Sequence, residues 1–155
     1  VHQKPLVLVD YAHTPEALKN LYSAVKLGIY NQKPRKLTCV LGATGGGRDK
    51  WKRPELGKIA DKFCDAIFIT NEDPYDEDPK SIMDDVAKGV KNKKPHLILD
   101  RKMAIHKALA SVQYDDAVVI SGKGSEPWMV VADNKKLKWD DRKIARDEIK
   151  KLNKF

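Results

Sequence analysis

Five short apolar runs, Pro5 to Val9, Leu37 to Leu41, Ala66 to Ile69, His96 to Leu99 and Ala117 to Ile120, punctuate the chain, with amphipathic segments between them. They are nearly continuous in hydrophobicity, so each reads as a strand covered on both faces rather than one with a wet side. Strands of that kind belong to parallel sheets, whose crossover helices cover them. The expected class is therefore α/β, with a mostly parallel sheet.

The segments between the runs carry helix signals. Thr14 reads as a cap and Pro15 as a first helical residue, and Ala17, Leu18, Leu21, Tyr22 and Val25 follow at helical spacing toward an end near Gly28. A second helix opens at Pro54 and a third follows Pro79, while Asp100 and Asp140 read as caps of a fourth and a last helix. Trp128 to Val131 and Lys136 to Trp139 flank Asp133-Asn134, which predicts a hairpin at the sheet edge.

Composition narrows the function classes. With 155 residues, 41% of them hydrophobic, the chain suits one domain spanning residues 1–155. No apolar run reaches the roughly 18 residues of a membrane span, and Val1-His2-Gln3-Lys4-Pro5 has no secretory signature, so a soluble, cytoplasmic protein without a membrane partner is expected. Cys39 and Cys64 each lie in or beside an apolar run and read as separate buried thiols rather than a disulfide. His2, His13, His96 and His106 have no ligand spacing, so no structural metal is expected. The formal charge of +8 is spread over many helix ends and turns, which argues against a nucleic-acid partner.

In an open α/β sheet, ligands bind beyond the carboxyl ends of the strands, and four loops there carry unusual residues. They are Asp10 to Pro15, Gly42 to Lys50, Thr70 to Tyr75 and Ser121 to Glu126. Asp10 and His13 stand where a polar ligand would be met. The second loop has four glycines followed by Arg48, Lys50, Lys52 and Arg53, a pattern that suits an anion. It fits neither a Walker A loop nor a dinucleotide fingerprint, so the chain lacks the usual means of holding a nucleoside triphosphate unaided. In the last loop Gly122-Lys123-Gly124 permits close backbone approach, and Glu126 is an acceptor for an ammonium group.

Taken in order, these loops resemble the C-terminal domain of the Mur ligase family over essentially the whole chain. Asp-Tyr-Ala-His-Thr-Pro at 10–15 resembles the family's opening motif. Gly-Arg-Asp-Lys-Trp-Lys-Arg-Pro at 47–54 resembles its Gly-x-Arg-Asp-Lys-x-Lys-Arg-Pro segment, and Gly-Lys-Gly-Ser-Glu at 122–126 its Gly-Lys-Gly-His-Glu loop. Trp139-Asp140-Asp141-Arg142 resembles the Asp-Arg that opens its final helix. The similarity is greatest to the MurE type, which adds the third residue to UDP-N-acetylmuramoyl-dipeptide.

The resemblance implies a Rossmann-like domain with a sheet of about six strands, helices on both faces and the antiparallel edge hairpin. It implies that an N-terminal UDP-binding domain and a central ATP-binding domain, absent from this chain, complete a cytoplasmic ligase of peptidoglycan precursor synthesis. The isolated domain is then expected to be inactive. ATP and magnesium are implied, held mainly by the central domain, with UDP-N-acetylmuramoyl-dipeptide and an amino acid as the other small-molecule partners. Asp10 would contact the ATP ribose and His13 the phosphates. Arg48, Asp73, Tyr75, Gly122 and Glu126 would line the amino-acid site, with Arg48 on the α-carboxylate.

Where diaminopimelate-adding relatives have Asp-Asn-Pro-Arg, this chain has Glu72-Asp73-Pro74-Tyr75, and Ser125 replaces the family's His. The missing Arg, together with Asp73, Glu72, Asp76, Glu77 and Asp78, suggests a negative field that would attract a distal ammonium, as in L-lysine or ornithine. The competing readings are another member of the superfamily, cyanophycin-synthetase-like or folylpolyglutamate-synthetase-like, and a stand-alone Rossmann-like nucleotide-binding module.

Overall fold

Alternate residues of each central strand face opposite ways, and in this chain both faces are apolar. Leu37, Cys39 and Leu41 of one strand join one buried cluster while Val40 joins another, and Ala117 and Val119 divide from Val118 and Ile120 in the same way. The computed structural model describes residues 2–47 and 49–155.

Five parallel strands result: β1 (Leu6–Asp10), β2 (Leu37–Leu41), β3 (Ala66–Thr70), β4 (His96–Ile98) and β5 (Ala117–Ser121), in the spatial order β1-β5-β2-β3-β4. The crossovers are α1 (Pro15–Leu27), α2 (Lys52–Phe63), α3 (Pro79–Ala87) and α4 (Arg101–Ser111), and α5 (Asp141–Lys151) closes the chain. The predicted caps hold. Thr14 Oγ1 accepts from the Ala17 amide, Asp100 from Met103 and Asp140 from Arg142. α2 begins two residues ahead of Pro54, because Lys52 and Arg53 already turn into the helix.

Buried residues of α1, α2 and α3 pack in the cluster on one face of the sheet, and those of α4 and α5 in the cluster on the other. The chain therefore leaves β5 toward one face, while it leaves the flanking β1 and β2 toward the other. Such divergence opens a crevice at the carboxyl ends of neighbouring strands.

Two sequence expectations are corrected. The hairpin, β6 (Trp128–Val131) and β7 (Lys135–Lys138), is not at the edge of the parallel sheet but forms its own two-stranded antiparallel sheet. It follows β5, whose two sides are already taken by β1 and β2, so the chain leaving β5 has no free neighbour to pair with. Asp133 and Asn134 make the turn with φ of 59° and 55°, the left-handed values those residue types tolerate. The second correction concerns Cys39 and Cys64, which are both fully buried but joined as a disulfide. The α2 crossover returns Cys64 beside the middle of β2, with 6.1 Å between the Cα atoms, a proximity that a separation of 25 residues does not advertise.

Candidate functional site at the carboxyl ends of the strands

Each strand end carries a loop, and backbone bonds lash the loops together. Gly122 N donates to Asp10 O at 3.1 Å, Gly45 N to Asp73 O at 2.7 Å and Tyr75 N to Val130 O at 3.2 Å. Gly122, at φ 108°, lies so close to Glu72 that a Cβ there would stand 2.4 Å from the Glu72 Oε1. The close approach expected of the Gly-Lys-Gly segment is thus toward a buried carboxylate.

Under the loops lies a network of buried charge. Arg101, 2% exposed, donates to both oxygens of Asp141 at 2.9 and 2.6 Å, and to the carbonyls of Asn71 (3.1 Å) and Ser121 (2.9 Å). It ties the ends of β3 and β5 to the start of α5. Trp139 Nε1 adds a bond to Asp141 at 2.8 Å, so the Trp-Asp-Asp-Arg segment serves as an anchor. Lys123, fully buried, pairs with Asp73 and Glu126. Burial pushes the Glu72 carboxyl up to about 7 against the pull of the Arg101 and Lys123 cations, with the neighbouring Asp73 and Asp141 raising it further.

Above this floor a cleft of about 660 Å³ opens. Tyr11 and His13 of the first loop line it, with Thr44 and Gly45 of the second, Asp73 and Tyr75 of the third and Glu126 of the fourth. Asp10 instead borders a neighbouring cleft of about 460 Å³ with Tyr11, His13, Asn20 and Tyr30, so His13 stands between the two. The Asp10 carboxylate accepts the Ala12 amide at 2.8 Å, and the His13 ring packs edge-on against Tyr11 with 4.7 Å between centroids. Gly122 abuts the floor rather than lining the larger cleft. Arg48, the predicted α-carboxylate clamp, lies outside the described residues.

The structure assigns other work to several charges that the sequence suggested for ligands. Arg53 is buried and pairs with Glu77 (3.0 Å) and Asp85 (3.1 Å), so it braces α2 against α3 instead of awaiting an anion. The acids after β3 are likewise engaged. Asp73 holds Lys123, and Asp76 accepts the Asp133 amide at 2.8 Å. Glu77 accepts the Gly47 amide at 2.5 Å, and Asp78 caps α3. The negative field inferred for a distal ammonium is therefore reduced within the fold at Asp73 and Glu77, which face Lys123 and Arg53, while Asp76 and Asp78 are exposed and bond backbone amides. Lys123, Arg101 and Glu72 escaped the sequence reading as parts of the floor; only the intervening position of Lys123 between two glycines marked it at all.

Comparison with known proteins agrees with this geometry. Residues 1–124 match the family described as Mur ligase, glutamate ligase domain. The UDP-N-acetylmuramoyl-L-alanyl-D-glutamate--2,6-diaminopimelate ligase of Trichormus variabilis is 42% identical over 141 residues, 90% of this chain and 27% of that protein. The protein of the same name from Bacillus cereus is 37% identical over 147 residues, 95% of this chain and 29% of that one. A solved structure of a ligase of this name superposes with a TM-score of 0.87 at 31% identity, covering 99% of this chain and 31% of that chain. E. coli FolC in complex with ADP shares the fold alone, with a TM-score of 0.56 at 19% identity over 79% of this chain and 27% of that one. The chain thus spans less than a third of the length of these relatives. With the family matched from residue 1 through the Gly-Lys-Gly loop, the chain belongs to the Mur ligase family.

Proposed function

We propose that this chain is the amino-acid-binding domain of an ATP-dependent, cytoplasmic ligase that joins 2,6-diaminopimelate to UDP-N-acetylmuramoyl-L-alanyl-D-glutamate in peptidoglycan synthesis. The observation that carries the reading is one cleft lined by Tyr11, His13, Asp73, Tyr75 and Glu126, drawn from three separate loops. In it Glu126 receives the amino end of the incoming residue, and Arg48 is proposed for its α-carboxylate. Tyr75 forms part of the wall along which the side chain lies.

In such a reaction ATP phosphorylates the muramoyl-dipeptide carboxylate, and the amine attacks the acyl phosphate as phosphate leaves. This domain contributes chiefly position, since holding the amine in line with the acyl carbon replaces an encounter with a preset approach. The neighbouring cleft suits the nucleoside part of ATP, with Asp10 toward the ribose and His13 toward the phosphates. Among the described residues no group of three acidic, His or Cys side chains is placed to hold a metal. Magnesium and the triphosphate are accordingly proposed to lie mainly on a central domain, beside an N-terminal UDP-binding domain.

Diaminopimelate is preferred to lysine or ornithine for two reasons. Asp73 and Glu77 are paired with Lys123 and Arg53, which weakens the negative field that would repel the distal carboxylate of diaminopimelate. The similar proteins of Trichormus variabilis and Bacillus cereus are diaminopimelate ligases by name. The full-length protein, given ATP, the muramoyl-dipeptide and each amino acid in turn, is expected to show kcat/KM for meso-diaminopimelate at least about tenfold above that for L-lysine or ornithine. A preference for lysine would restore the diamine reading, and ATP-dependent amide formation with none of the three would overturn the ligase reading.

A further inference from the structure

Among the described residues Lys123 is the best-buried cation beside the cleft, with no exposed side-chain surface. Its Nζ lies 2.8 and 2.9 Å from the two Asp73 oxygens and 2.7 Å from Glu126 Oε2. An ammonium has three N–H bonds, and these two carboxylates engage them all. Asp73 Oδ1 also accepts the Val130 amide at 2.8 Å, so Asp73 is committed to the fold. Glu126 differs: its side chain is 31% exposed on the cleft wall, Lys123 takes its Oε2, and the Tyr11 hydroxyl is the one other side-chain group that faces it among the described residues.

We propose that Lys123 is a positioning residue of the amino-acid site, which neutralises Asp73 and aims the remaining oxygen of Glu126 at the substrate ammonium. The inference rests on the ligase reading. One lysine against two carboxylates leaves the group with a single negative charge, matched to a single ammonium. Arg101, whose field reaches Asp73, spends its hydrogen bonds on Asp141 and two carbonyls. Without the lysine, Asp73 and Glu126 would therefore confront each other with no cation bonded to either, and with Glu72 close behind. Such acids must share a proton or turn away, and either response spoils the receptor. Burial works against a charged Lys123, but the hydrogen bonds it donates to Asp73 and Glu126 outweigh it and keep the ammonium charged.

The test compares two variants of the full-length ligase, Lys123→Met and Lys123→Met with Asp73→Asn. The single variant should raise KM for the amino acid by about 30-fold or more, with KM for ATP within about threefold of wild type. The double variant again leaves one negative charge, on Glu126, and should recover at least about tenfold of that loss. A lysine serving only the core would move both KM values together and gain nothing from removal of the Asp73 charge. An unchanged amino-acid KM in Lys123→Met, or no recovery in the double variant, overturns the proposal.

Should Lys123→Met not fold, the double variant decides. An amino-acid KM within about tenfold of wild type supports the assignment, and a loss of about 100-fold or a second failure to fold overturns it. Inactive wild-type enzyme would be a different outcome, one that removes the ligase reading itself.

Discussion

Gly45→Ala in the full-length ligase is expected to lower kcat/KM for the amino acid by about 100-fold while leaving this domain folded. A Cβ at Gly45 would stand 2.0 Å from the Pro74 carbonyl oxygen and 2.6 Å from its carbon, and both belong to backbone that no side-chain rotation can clear. Gly45 N also donates to Asp73 O at 2.7 Å, so relief of the clash pulls apart the second and third loops at their joint. Asp73 and Tyr75 would shift by about 1 Å, a displacement sufficient to cost about two orders of magnitude under the proposed role of this domain in positioning the amine. The strands and both buried clusters lie below this joint, so circular dichroism should show an intact domain. Steady-state kinetics near the wild-type value would show that the two loops do not form one site.

Glu72→Gln is expected to stabilise the chain in a pH-dependent way, with a gain that grows to about 3 kcal/mol at pH 8. In the folded chain the Glu72 carboxyl, deprived of water, is pushed up to about 7 from the ordinary 4.5. The unfolded chain releases that proton near the ordinary value, and the native chain keeps it until near neutrality. The native state therefore binds more protons across the interval, and stability falls as pH rises through it. Below about pH 4 both states are protonated and Glu72 costs nothing; above about pH 8 the full cost of a buried carboxylate applies. Glutamine has no proton to lose. Urea unfolding of the two chains at several pH values should show a gap that opens between these limits, whereas a constant gap would mean that Glu72 ionises normally, and one that closes with rising pH that the fold favours its carboxylate.

The strands were legible because burial on both faces leaves an apolar run, and the helices because Thr14, Asp100 and Asp140 have side chains that satisfy the first free amides. Both signals are local. The hairpin's turn was equally legible in Asp133-Asn134, but its placement was not, since that depends on β5 being flanked by β1 and β2. The Cys39–Cys64 bond depends likewise on where a crossover returns the chain.

At the cleft, the sequence located the loops that meet and misjudged what their charges do. Asp73 and Glu126 look alike in sequence, yet one is consumed by Lys123 and the Val130 amide while the other keeps an oxygen at the cleft. Lys123 in a Gly-Lys-Gly segment and Arg101 at a helix start carry no local sign of burial. Only packing from β3, β5 and α5 makes them the buried counter-charges of the floor.

A structure of the full-length protein with ADP and meso-diaminopimelate should show the amino acid bound in the cleft above Lys123. The α-ammonium is expected about 3 Å from Glu126, with the side chain alongside Tyr75 and Lys123 still paired with Asp73. An amino acid bound away from this cleft, or an ammonium on Asp73 with Lys123 displaced, would contradict the proposed amino-acid site.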